Sequence, residues 1–111
     1  MKGAAAMFMI GTLLLAATLG VLAQEARVPG SRGERLFFAE GCYGCHTIGA
    51  MGTPLGPDLS RVGLRYTADQ LARWLADPER ERPGAHMPQL ELDPRDIEAL
   101  SMFLVGLRGP S

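Results

Sequence analysis

The sequence predicts a small all-α domain of three to four helices joined by long loops. Three observations support this prediction. Capping signals precede segments in which apolar residues recur at helical spacing. The connections between those segments are rich in glycine and proline, and no run of alternating apolar and polar residues indicates a β-strand. With 111 residues, the chain has room for one domain and little more.

Residues 1–23 are typical of an export signal or a membrane anchor. Residues 3–23 carry no charge and follow a single positive charge at Lys2. Ala23 suits a signal-peptidase site, whereas the length of the apolar run approaches the roughly 20 residues that cross a bilayer. The sequence therefore predicts either a cleaved signal peptide or an uncleaved N-terminal anchor. Both place the rest of the chain on the periplasmic or extracytoplasmic side of a membrane.

A polar linker is expected over residues 24–30, because it contains Pro29 and Gly30, and the folded domain is expected over residues 31–108. Without residues 1–23 the chain keeps ten arginines, no lysine and twelve acidic residues, which gives a formal charge of −2. Neutralisation of phosphates by basic residues supplies most of the affinity of nucleic-acid binders. The domain is therefore not expected to bind nucleic acid.

The first helix is predicted to begin at a capping box formed by Ser31 and Glu34 and to end before Gly41. Residues 46–66 contain several glycines and two prolines, so they are expected to form a long loop. A domain of this size with such loops buries little apolar surface. Long loops in compact domains are functional or wrap around something, and a large apolar prosthetic group would complete the core.

Two further helices are predicted from their caps. A capping box over residues 67–70 begins the second helix, and Pro78 is expected to stop it. Residues 79–92 contain two more prolines and are expected to be irregular. Asp93 followed by Pro94 is an N-cap with proline at the first helical position, which begins the third helix. The apolar stripe of this helix comprises Ile97, Leu100, Phe103, Leu104 and Leu107.

The stretch GCYGCHTIGA contains both cysteines of the chain, Cys42 and Cys45, followed directly by His46. Cys-x-x-Cys serves redox disulfides, half zinc sites and haem attachment. A thioredoxin-like use expects alternating strands and helices, and a zinc site needs a fourth ligand, for which only His86 offers another imidazole. In Cys-x-x-Cys-His the two thiols bind the vinyl groups of haem and the histidine reaches the iron. The pattern therefore favours one covalently bound haem c.

The sixth position of such an iron has several candidates in the sequence. Met51 is too close to His46 along the chain to reach over the ring easily, and Met102 is expected to lie in the core of the last helix. Met87 lies in an irregular segment, where a loop can lay one side chain over a haem face. His86 is its rival, although we expect it to face solvent, because adjacent residues of an extended segment point in opposite directions. An open sixth position is the remaining alternative.

Over residues 31–107 the sequence resembles the class I c-type cytochromes, which are small monohaem electron carriers. The motifs are CYGCH, GPDL, the helix with Trp74, and MP followed by a closing helix. Through GPDLSRVG, LARWLADPE and MPQL it is most similar to the haem domain fused to subunit II of some bacterial cytochrome oxidases, although no copper-binding domain precedes it. Gly33 and Phe37 match the small and aromatic pair that crosses the last helix at Phe103.

The resemblance implies a small cytochrome c fold wrapped around one haem, with His46 and Met87 as iron ligands. It implies that the carbonyl of Pro57 accepts the Nδ1 proton of His46, and that Trp74 binds a haem propionate. Further propionate candidates are Arg61, Arg65 and Tyr66. Cofactor-binding residues are thus expected at Cys42, Cys45, His46, Met87, Pro57 and Trp74, with no catalytic residue.

The expected function is one-electron transfer in a respiratory chain, without enzymatic chemistry by the protein itself. Expected partners are redox proteins such as a terminal oxidase, a quinol-oxidising complex or a periplasmic dehydrogenase, with residues 3–23 as a contact to the membrane. The alternative is a fixed haem subunit of a larger oxidoreductase. A haem enzyme or gas sensor with an open sixth position is the third hypothesis.

Overall fold

The computed structural model describes residues 30–110. The signal or anchor assigned to residues 1–23, and the linker up to residue 29, lie outside the described residues. The helices are α1 (Arg32–Ala39), α2 (Ala68–Ala76), α3 (Pro78–Glu81) and α4 (Pro94–Val105), with 3-10 turns at Cys42–Gly44 and Val62–Leu64 and strands β1 (Thr47–Ile48) and β2 (Met51–Gly52). This is the all-α fold predicted from the sequence, with four helices. None of the helices within residues 30–110 is both long and apolar enough to cross a bilayer.

Helix α1 begins at Ser31, whose hydroxyl accepts the amide of Glu34 at 3.1 Å. Its most buried face is the side that crosses α4. A Cβ at Gly33 would overlap the carbonyl oxygen of Ala99 and the Cβ of Phe103, so only glycine allows the two backbones to approach this closely. The ring of Phe37 lies 5.8 Å from that of Phe103. The crossing inferred from the resemblance is therefore present.

Helix α2 carries the full capping box, because Thr67 and Gln70 exchange hydrogen bonds in both directions. Pro78 ends this helix, as predicted, but it also begins α3. The prediction of an irregular segment from residue 79 was wrong for residues 79–81, since the side chain of Asp77 accepts the amide of Arg80 and Pro78 occupies the first helical turn. The same pair of residues thus closes one helix and caps the next.

Helix α4 packs against both α1 and α2 and forms the centre of the core. The buried apolar side chains are Phe37, Val62, Leu71, Leu75, Leu100 and Leu104. Met102 was expected among them, but 60% of its surface is exposed. It stands on the outer face of α4, two residues from Leu100 and two from Leu104, and helical geometry turns such positions away from the buried stripe.

The long loop between α1 and α2 contains a small hairpin that the sequence did not predict. Thr47 pairs with Gly52 and Ile48 with Met51. Strands this short cannot show an alternating pattern of apolar and polar residues in the sequence. The C-terminal tail braces the same loop, because Gly63 donates to the carbonyl of Leu107 at 2.8 Å. The loop is therefore ordered by its own turns and by the chain end.

Candidate haem-attachment site

The cysteine motif is placed by the end of α1. Cys42 begins a 3-10 turn directly after Gly41, and its carbonyl accepts the amide of His46 at 2.9 Å. Tyr43 meets the buried ring of Phe37 edge to face, with 4.7 Å between the ring centres. The turn thus brings both cysteines and the histidine into one compact loop that is anchored on the core.

The two thiols are free and differ in their surroundings. Cys42 is half-buried and Cys45 is exposed. Burial raises the pKa of the Cys42 thiol, and the nearby carboxylate of Glu40 adds to the effect.

The imidazole of His46 is held by a backbone acceptor. Its Nδ1 lies 2.8 Å from the carbonyl oxygen of Pro57. A carbonyl can only accept, so Nδ1 carries the proton and Nε2 keeps its lone pair. Within residues 30–110 no protein group hydrogen-bonds to Nε2, which leaves this atom available to a metal. The contact expected of Pro57 is therefore present in the fold.

Gly56 is part of this arrangement, although the sequence offered it only as one letter of a motif. Its amide donates to the carbonyl of Cys45 at 2.5 Å. A Cβ at this position would lie 2.8 Å from Cε1 of the His46 ring. The ring edge therefore packs against the bare backbone of residue 56, and any side chain there would displace the imidazole.

A hydrogen-bonded group joins the chain after His46 to the chain after Pro57. Oδ1 of Asp58 accepts from the hydroxyls of Thr47 at 3.1 Å and Ser60 at 2.7 Å, and from the Ser60 amide at 3.1 Å. These hydrogen bonds, above all that of the Ser60 hydroxyl, lower the pKa of Asp58. Sequence reasoning missed this group, since its signal is only a polar residue within a loop.

Met87 and Trp74 are in direct contact. The indole N–H of Trp74 is directed at the sulfur of Met87, with 3.0 Å between Nε1 and Sδ, and both side chains are half-buried. Indole offers one donor only. The resemblance assigned that donor to a haem propionate, whereas in this structure it meets the thioether. The neighbouring His86 is exposed, and so is Met51.

Two of the three other propionate candidates share a cleft. Arg61 and Arg65 line a depression of about 430 Å³ together with Pro57, Asp58 and Leu64. Pro57 is the residue whose carbonyl holds His46, so both guanidinium groups lie beside the histidine side of the site. Arginine pairs well with carboxylates. Tyr66 is about half exposed and lies immediately after this cleft in the chain.

The donor set fits one haem. Cys42 and Cys45 are free for two thioether bonds, His46 offers Nε2, and Met87 offers a soft sulfur. Large apolar side chains that a porphyrin edge could cover stand exposed on the loops, among them Leu55 and Leu64. In the part of the chain that the structure describes, no three His, Cys, Asp or Glu side chains form a group that could hold a metal ion.

Comparison with known proteins gives three findings. The sequence model of the family described as Cytochrome c matches residues 30–108. Cytochrome c oxidase subunit 2 of Alkalihalophilus pseudofirmus is 30% identical over 87 residues, an alignment that covers 70% of this chain and 25% of the oxidase subunit. The chain thus spans about a quarter of the length of that relative.

Among solved structures, a chain of SoxXA from P. pantotrophus superposes with a TM-score of 0.62. The two sequences are 23% identical, and the match covers 74% of this chain and 85% of that one. At this identity the likeness concerns the fold.

Proposed function

Because the chain belongs to the Cytochrome c family, we propose that it moves single electrons between redox proteins on the extracytoplasmic side of a membrane, with His46 and Met87 as the iron ligands. Family membership establishes a covalently bound haem c and electron transfer by that haem. The ligand pair, the compartment, the respiratory role and the partners are our proposal. The observation that supports it is the placement of two potential iron ligands. The carbonyl of Pro57 holds the ring of His46, and the indole N–H of Trp74 is directed at the sulfur of Met87.

Haem c supplies an iron that takes up and releases one electron. The protein supplies the geometry. Cys42 and Cys45 bind the cofactor covalently, so it cannot dissociate between partners. The carbonyl of Pro57 keeps a proton on Nδ1 of His46, which fixes the ring and makes Nε2 a stronger donor. Met87 would offer its thioether sulfur as a second protein ligand to the iron, which would leave no position for small-molecule substrates and would favour electron transfer.

Arg61 and Arg65 are our candidates for binding the haem propionates. They lie in the cleft beside Pro57, and a guanidinium group neutralises a carboxylate with directional hydrogen bonds. The indole N–H of Trp74 is then available to hydrogen-bond to the sulfur of Met87. This assignment differs from the expectation for Trp74, and Trp74→Phe distinguishes the two roles.

The ligand proposal is tested by Met87→Ala in protein matured with haem. We expect loss of the weak far-red absorbance band typical of ferric methionine-ligated haem, and a fall in reduction potential, because a thioether ligand stabilises the ferrous state. Met102→Ala is the matched control, since this methionine is 60% exposed on the outer face of α4. An unchanged spectrum in Met87→Ala would reject the assignment, and the His86→Ala, Met87→Ala double variant would show whether His86 takes over.

The second candidate function is a fixed haem subunit of a larger oxidoreductase, which is supported by the likeness to an oxidase subunit. Purification from the native membrane distinguishes the two. A carrier separates from its partners in moderate salt, whereas a subunit remains with them at constant stoichiometry. Mass spectrometry of the same material gives the mass of the covalent haem and the start of the mature chain, which decides between a signal peptide and an anchor.

A further inference from the structure

The hydrogen bond between His46 and Pro57 joins two separate parts of one loop. Its geometry depends on how the chain after the histidine lies against the chain after the proline. Two backbone bonds link these parts, from Gly56 to the Cys45 carbonyl at 2.5 Å and from Leu59 to the Thr47 carbonyl at 2.8 Å. Within residues 30–110, the His46–Pro57 hydrogen bond is the one bond that the backbone groups of residues 57 and 58 make to the other part. The side chain of Asp58 adds a further link, to Thr47.

We call Thr47, Gly49, Asp58 and Ser60 the Asp58 clamp. Oδ1 of Asp58 accepts three hydrogen bonds, one from Thr47 and two from Ser60. The Ser60 hydroxyl in turn accepts the amide of Gly49 at 2.7 Å. The hydroxyl of Ser60 donates to Oδ1 of Asp58 and accepts from the amide of Gly49, so one hydroxyl fills both of its roles.

The clamp is attached to the rest of the fold at Ser60. The carbonyl of Ser60 accepts the amide of Gly109 at 2.9 Å, and the nearby Val62 is buried in the core. Thr47 directly follows His46, and Asp58 directly follows Pro57. The clamp therefore connects the two partners of the His46–Pro57 hydrogen bond, each at a distance of one residue, to a fixed point on the fold.

We propose that Asp58 is a positioning residue for the haem ligand: its side chain makes no hydrogen bond to His46, but it sets the Pro57 carbonyl against Nδ1 and so sets the donor strength of His46. The inference rests on the proposed role of His46 as an iron ligand. Because a stronger hydrogen bond at Nδ1 makes Nε2 a better donor to ferric iron, a loosened clamp raises the reduction potential.

The charge of Asp58 has an effect of its own, which the variants separate. Asp58→Asn removes the charge but keeps an oxygen at Oδ1 for Thr47 and Ser60. Asp58→Ala removes both. Ser60→Ala keeps the charge but removes the hydroxyl that joins Asp58 to Gly49. Asp69→Ala is the control for loss of a surface carboxylate, because the Asp69 side chain is 95% exposed and its nearest cation lies at 4.0 Å.

The experiment uses the haem-loaded, reduced protein, in which the Nδ1 proton of His46 is observed by nuclear magnetic resonance. We expect Asp58→Ala and Ser60→Ala to speed the exchange of this proton with solvent by about tenfold, the size expected from the loss of one ordinary hydrogen bond. Both variants also raise the reduction potential. Asp58→Asn keeps the exchange rate of the original protein, and Asp69→Ala changes neither quantity.

The proposal is overturned if Asp58→Ala and Ser60→Ala leave the exchange rate unchanged, or if Asp58→Asn and Asp58→Ala behave alike. The first result would show that the clamp does not position the Pro57 carbonyl. The second would show that Asp58 acts on His46 through its charge alone. Failure of the proposed function is seen separately, in the spectrum of the unsubstituted protein. A haem iron there without His46 as a ligand would reject both ideas at once.

Discussion

The histidine side of the site, residues 42–60, and the methionine side, residues 74–92, are held in different ways. On the histidine side the ring is fixed by a carbonyl and packed against Gly56, and the Asp58 clamp joins the residues that follow His46 and Pro57. On the methionine side, no backbone amide from His86 to Glu91 donates to a backbone carbonyl within the described residues. Met87 packs against the core, and the indole N–H of Trp74 is directed at its sulfur. His46, one proposed ligand, is held by hydrogen bonds of its own loop, whereas Met87, the other, contacts a side chain of helix α2.

This difference has a consequence for dynamics. Regions with few internal hydrogen bonds open more easily than regions with many. We therefore expect the methionine to leave the iron more readily than the histidine when the protein is stressed by heat, alkali or denaturant. Three sets of measurements test this difference between the two sides, and the expected effect decreases from the first set to the last.

The largest effect is expected from Gly56→Ala. The new Cβ would lie 2.8 Å from Cε1 and 3.0 Å from Nδ1 of the His46 ring, and overpacking of this kind costs about 1–3 kcal/mol. We expect a lower denaturation midpoint and a shifted resonance for the Nδ1 proton. The matched change on the methionine side is Gly84→Ala, where nothing lies within 4 Å of the added carbon.

Gly84 has a φ of +83°, so alanine there is strained by about 1 kcal/mol without touching a neighbour. Gly84→Ala should reduce stability and leave the resonances of His46 in place. If the two alanines perturb His46 equally, the histidine side is not the more tightly packed one, and the comparison fails.

A smaller effect is expected from Trp74→Phe, which keeps an aromatic ring and removes the donor to Met87. The loss should be about 1 kcal/mol of stability and should bring easier release of the methionine, seen as loss of the far-red ferric band at a lower pH or temperature. The reduction potential should fall, because a sulfur freed from the indole N–H donates more electron density to ferric iron. An unchanged band and an altered propionate environment would instead support the propionate role that the resemblance assigned.

The smallest effect concerns pH. Hydrogen bonds from Ser60 hold the pKa of Asp58 below its ordinary value of about 3.9. A lowered pKa in the folded state gives stability that is fully present above the ordinary value and is lost as pH falls through the folded value. Arg61, which lies near Asp58, acts in the same direction. The stability difference between the original protein and Asp58→Asn should therefore stay constant from neutral pH down to about 5 and then shrink in more acidic solution.

That difference is measured as the denaturation midpoint of both proteins over this pH range. Ser60→Ala is the control, because it removes the main cause of the lowered pKa, so the part of the stability that is lost in acid should be smaller in this variant. A difference between the original protein and Asp58→Asn that does not change with pH would show that Asp58 carries no such linkage.

Much of the fold followed from local chemistry that the sequence displays. The caps at Ser31, Thr67 and Asp93 were predicted and are present, because a cap is made by residues within three positions of each other. The start of α3 at Pro78 was missed, since the same Asp-Pro pair also signals a helix end. The exposure of Met102 was missed, although its spacing from Leu100 and Leu104 places it off the apolar stripe of α4.

The order of residues along the chain was enough to predict haem attachment at two cysteines and a histidine, because thioether attachment needs only residues that are neighbours in the chain. Caps and apolar spacing also predicted α1, α2 and α4, but not α3. Three features became visible only in the folded chain. The indole N–H of Trp74 is directed at the sulfur of Met87, and the position of Gly56 has no room for a side chain. Asp58 joins the two parts of the histidine loop by hydrogen bonds. Those features depend on distances between atoms ten or more residues apart, which are set by how loops fold back on the core.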